Sequence, residues 1–500
     1  MLYKKLSEIE KNNPNHPAII DDFGVKTYTQ LLSDIHSLNT LLQLKKNDIV
    51  MAVIGNSAIF ISLFFTVNFA EAIWMPISTK LTEYATHSYI KQITPSVIIA
   101  DEVNINKIIS YPVKCFHIYK VNMNDGVIEN IILHPDINYV DSDDSFEKHF
   151  VLSTNPNNDR DRIAEILFTS GTTGIPKGIM LSNYNIISNV NSILNYMNIS
   201  SKDIALVAKS MIHSSTINGE ILTMLFAGGT IVTTNKLIST RLYENYITKY
   251  QITILFSVPA LLTSFVNTYA KKEAVDSIRI VHFYGSTISN DTLTKVMDTF
   301  PKAEILYGYG LTEASPRVTC INKKDLICKI GSSGKPINSV SIKLLDSHGV
   351  QIKAINEVGE IYVNGPNVMQ GYYKNPQLTK TVLTDDGLKT GDLGYFDDDG
   401  YIYILGRIDD MIIKNGINIY PAEIENILKT NDRVGEVLVK GENSNTHGNI
   451  IVAYIVKNGN LNEEDVYMHC KKYLEVSKIP DRIIFIKQMV LTESGKIKRK

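Results

Sequence analysis

The stretch Leu167-Phe-Thr-Ser-Gly-Thr-Thr-Gly-Ile-Pro-Lys-Gly178 is the densest chemical signal in this 500-residue chain. Three glycines, four hydroxyl-bearing residues and one lysine stand together after the apolar run Ile163–Phe168. Glycines let backbone N–H groups approach an anion closely, and hydroxyls and a lysine add further donors. The spacing of Gly171, Gly174 and Lys177 does not fit a Walker A loop, which requires Gly-x4-Gly-Lys-[Ser/Thr]. On local chemistry alone, the stretch is either a polyphosphate-binding loop or a flexible surface turn.

The overall composition is that of a globular protein with several domains. Hydrophobic residues make up 44% and charged residues 20% of the chain, and 50 basic against 52 acidic side chains give a net charge of −2. A nucleic-acid binder that works through bulk charge is disfavoured, because such domains carry a basic excess. The cysteines show no CxxC spacing, so we expect neither a disulfide framework nor a zinc site, and we expect a reducing, cytoplasmic setting. These cysteines are Cys115, Cys320, Cys328 and Cys470.

Two stretches bear on export and membrane insertion. Met1–Asn13 is charged and lacks an apolar core, so no secretion signal is predicted. Ala58–Ile77 is nearly long enough to span a bilayer, but it contains Asn68 and Glu71 and is interrupted at Pro76. Because a carboxylate inside a membrane is costly, we interpret this window as a buried helix of an α/β core rather than a transmembrane segment.

Apolar, strand-like runs alternate with longer stretches of mixed polarity through the first 400 residues. The runs are Asp48–Ile54, Ser96–Ala100, Thr230–Thr233, Thr253–Phe256 and Ile278–Phe283. This alternation predicts βαβ units and a mostly parallel sheet covered by helices. Shorter strands and tight turns follow between residues 341 and 405, with a hairpin turn predicted at Asp397–Gly400. A compact α+β segment comes next, so we place a domain joint near Gly406–Asp410.

Five further motifs accompany the glycine-rich stretch. They are Tyr307–Glu313 (YGYGLTE), Thr390–Asp392 (TGD), Gly406–Asp410 (GRIDD), Gly416 with Pro421–Glu425 (PAEIE), and Leu491–Arg499 (LTESGKIKR). Gly308-Tyr-Gly310 is not a dinucleotide fingerprint, because Glu313 stands where the third glycine would be. In this order the six motifs resemble the adenylate-forming superfamily, which comprises acyl- and aryl-CoA synthetases, peptide-synthetase adenylation domains and luciferases. Weaker similarity extends upstream to Ala70–Pro76, where Glu71 replaces the usual glycine.

The resemblance implies an α/β fold with two domains. Residues 1–405 would form a large N-terminal domain of mixed and parallel sheets with helices plus a distorted β-barrel. Residues 406–410 would be a hinge with Asp409 as its pivot, and residues 411–500 a small mobile C-terminal α+β domain. The implied activity is ATP-dependent activation of a small carboxylic acid through an acyl-adenylate, followed by thioester formation. Its implied cofactors are Mg²⁺, ATP and coenzyme A or phosphopantetheine.

The resemblance also assigns roles to individual residues. The implied nucleotide-binding set is Thr169, Ser170, Gly171, Thr172, Thr173, Gly174, Lys177, Ser286, Tyr309, Gly310, Asp392 and Arg407. The implied catalytic set is Lys496, Thr312, Glu313 and His213. Lys496 would reach the substrate carboxylate and the α-phosphate during adenylation, and Gly416 would lie beside the tunnel for the pantetheine thiol.

Within the nucleotide site, each implied role has a chemical reason. Tyr309 would stack on adenine, and Thr312 would contact the α-phosphate. Glu313 would hold Mg²⁺, which commonly uses one carboxylate together with phosphate oxygens and waters. Asp392 would accept hydrogen bonds from both ribose hydroxyls, which a carboxylate can do at once. Arg407 would also contact the ribose.

Three positions bear on the identity of the acid. His213 falls where many synthetases have a histidine that lines the acyl pocket, although a histidine that merely begins a helix is the alternative. Ser214–Thr216 stand where domains that select α-amino acids place an aspartate, and a buried ammonium without a carboxylate would be costly. Tyr284, which precedes Gly285, replaces a frequent glycine, so its ring should narrow the pocket. An aryl or short acid is therefore predicted rather than an α-amino acid or a long fatty acid.

Three functions remain open on the sequence alone. The first is a stand-alone acyl- or aryl-CoA synthetase, although Ile413 stands where many relatives have a lysine. The second is an adenylation enzyme that loads a separate phosphopantetheinyl carrier protein, since no carrier domain is recognised in the chain. The third, a non-catalytic nucleotide sensor or scaffold, is disfavoured because the residues for phosphate, metal, ribose and carboxylate contacts are present together. Those residues are Lys177, Glu313, Asp392, Arg407 and Lys496.

Overall fold

A computed structural model describes most of the chain. The described residues are 1–110, 117–123, 127–131, 159–169, 177–236, 239–268, 275–285, 288, 290–414, 417–444, 448–490 and 497–499. They form two large sheets, a smaller antiparallel sheet and three short sheets, with helices packed against the large sheets. This α/β architecture confirms the predicted fold class.

The first large sheet is parallel except at one edge. Its strands, in spatial order, are Glu304–Gly308, Ile280–Tyr284, Ile254–Ser257, Ile204–Val207, Thr230–Thr233, Pro17–Asp21 and Gly24–Thr27. Only the last pair is antiparallel. The strands Ile254–Ser257 and Ile280–Tyr284 are buried along their whole length. Their sequences are mostly apolar because helices cover both faces of a parallel sheet.

The second large sheet combines a parallel centre with antiparallel edges. Its strands, in spatial order, are Gly371–Tyr372, Lys177–Ser182, Ile163–Thr169, Ile73–Pro76, Ile49–Val53, Val97–Asp101, His117–Val121 and Ile128–Ile131. Ile163–Thr169 and Lys177–Ser182 pair antiparallel, with Thr169 opposite Lys177. The two ends of the glycine-rich stretch are thereby fixed side by side at one edge of this sheet.

The remaining sheets come from the last third of the chain. The antiparallel half-barrel consists of Ser341–Leu345, Gly359–Asn364, Gly387–Phe396, Leu383–Thr384 and Ile402–Arg407. The shorter sheets pair Thr319–Cys320 with Lys335–Pro336, Ile412–Lys414 with Ile417–Ile419, and Val434–Ser444 with Gly448–Lys457 and Arg482–Ile486. Gly387–Phe396 and Ile402–Arg407 are joined at the predicted Asp397–Gly400 turn, which confirms the hairpin.

Helices cover the sheets and link their strands. The α-helices are Leu2–Asn12, Tyr28–Leu42, Ala58–Phe69, Glu83–Ile93, Ile105–Ile109, Asn183–Met197, Ser214–Thr216, Thr223–Phe226, Thr240–Tyr250, Pro259–Thr268, Asn290–Thr299, Lys323–Cys328, Pro376–Val382, Pro421–Leu428 and Glu463–Tyr473. A π-helical turn, Ile217–Leu222, joins two of them, and single 3₁₀ turns occur at Thr312–Ala314, Ile408–Asp410 and Val476–Lys478. Ser182 and Asn185 form a capping box that starts the helix Asn183–Met197 directly after its strand.

The apolar window Ala58–Ile77 is only partly a helix. The helix Ala58–Phe69 is buried on all sides except at its last residue, as the sequence predicted, but the chain then turns and forms the strand Ile73–Pro76. The turn places Glu71 at φ +58°, a conformation that glycine adopts more easily than glutamate. No helix among the described residues combines the length and apolar character that a membrane crossing needs.

Candidate active site

A cleft of about 1060 Å³ lies where the first large sheet, the half-barrel and the last hundred residues meet. Parallel strands often bind ligands beyond their carboxyl ends, and the segments that follow Ile280–Tyr284 and Glu304–Gly308 line this cleft. The sequence-predicted residues that line it are Thr169, Lys177, Gly285, Tyr309, Gly310, Thr312, Glu313, Asp392, Arg407 and Asp409. Residues distant in the sequence therefore share one cavity.

One wall of the cleft is the segment Gly308–Glu313, which ends in the 3₁₀ turn Thr312–Ala314. A Cβ atom at Gly310 would lie 1.9 Å from the carbonyl oxygen of Pro316, and one at Gly308 would lie 2.7 Å from that of Thr319. Glycine is needed at both positions, because backbone atoms cannot move aside as a flexible side chain does. The close backbone packing fixes where Tyr309 and Glu313 enter the cleft.

The opposite wall is the turn that contains Asp392. Thr390 donates a hydrogen bond to the carbonyl oxygen of Ile361 at 2.7 Å and accepts one from the Asp392 N–H at 3.1 Å. Arg407 pairs with Asp392 across the hairpin, and its Nη1 donates to the Thr390 carbonyl oxygen at 2.6 Å and to Asp392 Oδ1 at 3.3 Å. Gly391 lies at φ +73°, and a Cβ there would lie 2.7 Å from Arg407 Nη2.

Tyr309 and Asp392 connect these two walls. The Tyr309 hydroxyl donates a short hydrogen bond to Asp392 Oδ2. Burial and the negative charge of Asp392 raise the pKa of Tyr309 well above its ordinary value, so the phenol stays protonated as a donor. Burial alone would lower the pKa of Arg407, but Asp392 and Tyr309 raise it, so the guanidinium stays charged.

Glu313 supplies a carboxylate to the cleft. Its Oε1 accepts a hydrogen bond from the Tyr372 hydroxyl at 3.0 Å, and its Oε2 makes no hydrogen bond to a described residue. Lys177 Nζ lies 5.8 Å from the centre of the Tyr372 ring, on the same side of the cleft. A partly buried carboxylate oxygen beside a lysine fits Mg²⁺ bound together with phosphate, because Mg²⁺ prefers oxygen ligands.

Among the described residues, one group of three or more side chains has ligand atoms close enough together for a metal, and it is Asp397–Asp399 at the hairpin turn. Asp397 and Asp399 both form ion pairs with Lys329, at 2.9 Å for Asp397. None of the three lines the cleft. This turn is therefore separate from the cleft that Glu313 lines.

The third side of the cleft comes from the end of the chain. Ile497 and Arg499 line it, together with Asp409, Asp410 and Glu425. Arg499 Nη2 lies 2.9 and 2.7 Å from the two oxygens of Glu425, which also accepts the Val439 N–H at 2.8 Å. The residues directly after Lys496 are thus attached to the helix Pro421–Leu428.

Several predicted site residues lie outside the described residues or away from the cleft. Ser170, Gly171, Thr172, Thr173, Gly174, Ser286, Gly416 and Lys496 lie outside the described residues. His213 and Tyr284 are described but do not line the cavity. His213 precedes the helix Ser214–Thr216, and its carbonyl oxygen accepts the N–H groups of Thr216 and Ile217 at 2.9 Å. Tyr284 is 5% exposed and lies behind Gly285.

Two features of this region were missed by the sequence analysis. Tyr372, which donates to Glu313, belongs to no recognised motif. A buried polar cluster of Lys209, Glu220 and Arg317 surrounds Tyr284. The available signal was a charged residue inside apolar surroundings, as at Glu220 in the stretch Ile217–Phe226.

Comparisons with known proteins match both parts of the chain. The profile of the AMP-binding enzyme family matches residues 6–373, and that of the AMP-binding enzyme C-terminal domain matches residues 423–496. 4-Coumarate-CoA ligase 1 of Narcissus pseudonarcissus is 28% identical over 97% of this chain and 90% of its own length. A 2-succinylbenzoate–CoA ligase of Bacillus licheniformis is 34% identical over 68% of this chain and 69% of its own length.

Solved structures share the fold along nearly the whole chain. ATP-bound MatB from Rhodopseudomonas palustris has a TM-score of 0.85 at 24% identity, and the match covers 99% of this chain and 97% of that one. o-Succinylbenzoate CoA synthetase from Bacillus subtilis, in complex with its acyl-adenylate intermediate, has a TM-score of 0.82 at 23% identity, with coverage of 99% and 96%.

Proposed function

Because the chain belongs to the AMP-binding enzyme family and is an AMP-forming acid–thiol ligase, we propose that its substrate is a small aryl or short-chain carboxylic acid and that its thiol is coenzyme A. Such a ligase first joins the acid to AMP and then transfers the acyl group to the thiol. The observation that supports the site assignment is the shared cleft. It brings Lys177, Tyr309, Glu313 and Asp392 together with the end of the chain that carries Lys496.

In adenylation, the residues of the cleft would bind and orient ATP rather than react covalently. Asp392, which accepts hydrogen bonds from Tyr309 and Arg407, would also accept the ribose hydroxyls, because a carboxylate can accept several hydrogen bonds at once. Tyr309 would present its ring to adenine, and Thr312 would hydrogen-bond the α-phosphate. Lys496 would neutralise the charge shared by the attacking carboxylate and the phosphate. Positioning and charge stabilisation of this kind provide most of the catalysis in such reactions.

Glu313 is the residue that would hold Mg²⁺. Its hydrogen bond from Tyr372 fixes one carboxylate oxygen, and the other makes no hydrogen bond to a described residue. When bound, the ion neutralises phosphate charge in the transition state. Lys177 would bind the departing pyrophosphate together with the residues of the glycine-rich stretch.

Thioester formation would follow a rotation of the small domain. We propose the boundaries 1–405, 406–410 and 411–500, with Asp409 as the pivot and Gly416 beside the thiol path. Support comes from the 3₁₀ turn Ile408–Asp410, which lines the cleft between the half-barrel and the short sheets that follow. A hinge requires only a few such residues at the end of a structural element. A separate carrier protein remains the alternative acceptor.

The preference for a small acid without an amino group rests on the surroundings of Tyr284. Its buried ring occupies the space behind Gly285, which leaves less depth for a long chain. Ser214 and Thr216 are buried hydroxyl residues, and the nearby Glu220 carboxylate is already paired with Lys209. Glu165 accepts a hydrogen bond from Asn218, and burial raises the pKa of its carboxyl group to about 7. Neither Glu165 nor Glu220 therefore offers a fully charged, unpaired carboxylate to the ammonium of an α-amino acid.

A pyrophosphate-release screen tests the proposed function. With Mg-ATP, aryl and short acids such as benzoate and butanoate should release pyrophosphate, and adding coenzyme A should consume the thiol in step with it. Palmitate and phenylalanine should be poor substrates. A clear preference for palmitate over benzoate would contradict the role of Tyr284. Pyrophosphate release without consumption of coenzyme A would instead favour the carrier protein as acceptor.

Asp392→Asn tests the ribose assignment. Hydrogen bonds to a charged group contribute about 1.5–3 kcal/mol, so removing the charge while keeping the shape should raise the KM for ATP about 10- to 100-fold. Steady-state kinetics with varied ATP measure this. Asp385→Asn, at the exposed turn of the same half-barrel, is the matched control and should leave the KM unchanged. An unchanged KM in Asp392→Asn would exclude the ribose role.

A further inference from the structure

A buried polar cluster lies directly behind the wall of the cleft. It contains Lys209, Glu220, Tyr284 and Arg317, and none of the nucleotide-binding roles uses it. Glu220 is fully buried, Arg317 is 2% exposed and Tyr284 is 5% exposed. Charged groups are rarely buried to this degree unless they are paired or bind something. The cluster therefore needs a functional or structural reason.

Three members of the cluster bind one another. Lys209 Nζ forms an ion pair with Glu220 Oε1 and donates a hydrogen bond to the Tyr284 hydroxyl. The Tyr284 hydroxyl in turn donates to Glu220 Oε1. Glu220 is thus matched by one cation, and its ion pair is with Lys209 and not with Arg317.

Arg317 is held in place, but two of the three nitrogens of its guanidinium lack a hydrogen-bond partner among the described residues. Its backbone N–H and carbonyl oxygen bind the side chain of Asn189 at 3.1 and 2.8 Å. Its guanidinium carbon lies 3.4 Å from the centre of the Tyr284 ring, and a Cβ at Gly219 would lie 3.1 Å from Nη2. Nε and Nη2 are buried and have no hydrogen-bond partner among the described residues. The Tyr196 hydroxyl lies near the guanidinium and interacts with it, but it is not a charged partner.

The charges of the cluster leave one cation in excess. Lys209 and Arg317 are two positive groups against the single carboxylate of Glu220. Burial and the two nearby cations lower the pKa of His282 well below its ordinary value, so its imidazole is neutral. Burial raises the pKa of the neighbouring Glu165, which accepts a hydrogen bond from Asn218 at 2.6 Å, to about 7. Stacking on Tyr284 offsets only part of the cost of burying a guanidinium.

Three glycines that line the cleft lie next to the cluster. Gly285 follows Tyr284 and lines the cavity. Gly310 also lines it and forms a backbone bridge with Arg317. Gly308 lies in front of His282, whose Nε2 would be 3.7 Å from a Cβ at that position. An elongated acid with its reacting carboxylate near Thr312 could therefore extend toward Arg317 without crossing a side chain from these three positions.

We propose that the acid carries a second carboxylate and that Arg317 binds it, which makes Arg317 a specificity-determining residue. This inference rests on the proposed function, since it names the class of acid for the same site. A guanidinium is suited to this role, because its planar fork of N–H donors matches a carboxylate. A site built to hydrogen-bond a polar group also rejects an analogue that lacks the group far more strongly than an apolar pocket can.

Matched pairs of acids test the inference in the wild-type enzyme. Butanedioate and butanoate, and likewise benzene-1,2-dicarboxylate and benzoate, differ by one carboxylate. Hydroxylamine trapping and pyrophosphate release give kcat/KM for adenylation of each acid. We expect at least one diacid to exceed its monoacid by about 100-fold or more, on the order of the discrimination that buried polar contacts provide. Equal or higher values for both monoacids would overturn the inference.

Variants of Arg317 test whether this residue determines substrate specificity or only stabilises the fold. Arg317→Met should lower kcat/KM for the preferred diacid about 100-fold, mainly through KM, and should leave the matched monoacid unchanged or improved. Arg317→Lys keeps the positive charge but not the planar fork of donors, so its kcat/KM for the preferred diacid should lie between those of Arg317→Met and the wild type. Arg241→Met, on an exposed helix position, is the control and should leave both acids unchanged. Equal losses with both acids would overturn the inference, because Arg317 would then act on the reacting carboxylate or only on the fold.

The two proposals fail in different ways. If no acid of either class releases pyrophosphate, the proposed function fails and the inference fails with it. If monoacids are adenylated and diacids are not favoured, the proposed function stands and only the inference is overturned. Where Arg317→Met does not fold, the wild-type comparison of paired acids and the Arg317→Lys variant decide the matter.

Discussion

Lys496→Ala should abolish adenylation while the enzyme still binds ATP. Removing a single group that stabilises developing charge in a transition state costs about 10²–10³ in rate, and a lysine that neutralises both the carboxylate and the α-phosphate should reach at least the upper end. Pyrophosphate release with a good acid substrate measures the loss, and equilibrium binding of labelled ATP measures what is retained.

Lys498→Ala is the matched control for this variant. Lys498 is an exposed lysine of the same terminal segment, two residues further along, so it shares the local charge but not the proposed role. Its adenylation rate should stay within about twofold of the wild type, as is usual for exposed substitutions. If both variants were fully active, the resemblance of the last motif would have no catalytic meaning here, and another group would have to neutralise the charge of the α-phosphate.

Gly310→Ala should nearly eliminate activity through geometry alone. The added Cβ would lie 1.9 Å from the Pro316 carbonyl oxygen and 3.1 Å from the Arg317 Cα, so the backbone between Tyr309 and Glu313 must move. Overpacking of this kind costs about 1–3 kcal/mol of stability, and a displacement of about 1 Å in an active site can cost 10²-fold in rate. Thermal unfolding and pyrophosphate release measure the two effects.

Gly349→Ala is the control that distinguishes the steric clash at Gly310 from the strain of placing alanine at a positive φ. Gly349 lies at φ +78° in a turn with open space around it, away from the cleft, so alanine there introduces strain without a clash. We expect a stability loss on the order of 1 kcal/mol and normal activity. A Gly310→Ala enzyme as active as Gly349→Ala would show that the segment Gly308–Glu313 can shift without harm, and its proposed roles would need revision.

The sequence predicted several of the buried strands for a simple physical reason. Strands covered on both faces must be apolar throughout, so runs such as Thr230–Thr233 are visible without any knowledge of their neighbours. The order of strands within each sheet was not predictable, because pairing joins segments far apart in sequence. The break after Phe69 was missed because apolar residues continue on both sides of the turn at Glu71.

The candidate site likewise has one part that the sequence predicted and one part that it did not. Glycine-rich and acidic motifs require particular residue types at fixed spacing, so their resemblance to a family could be read from the chain. Lys209 and Glu220 are close in the sequence, but they meet Tyr284 and Arg317, which are distant from them, only in the folded protein. Glu313 and Tyr372 are 59 positions apart in the sequence, so their contact likewise exists only in the folded protein.

The hydrogen bond between Tyr309 and Asp392 has a consequence for how ATP would associate. Tyr309 directly follows a strand of the first large sheet and Asp392 lies in the half-barrel, so the bond holds the two walls of the cleft together before any nucleotide arrives. The side chains of these walls therefore lose little conformational entropy when ATP binds, and most of the entropy loss comes from the nucleotide itself. Binding to such a preformed surface should proceed with small changes in backbone position, and a Tyr309→Phe enzyme should bind ATP with a less favourable entropy than the wild type.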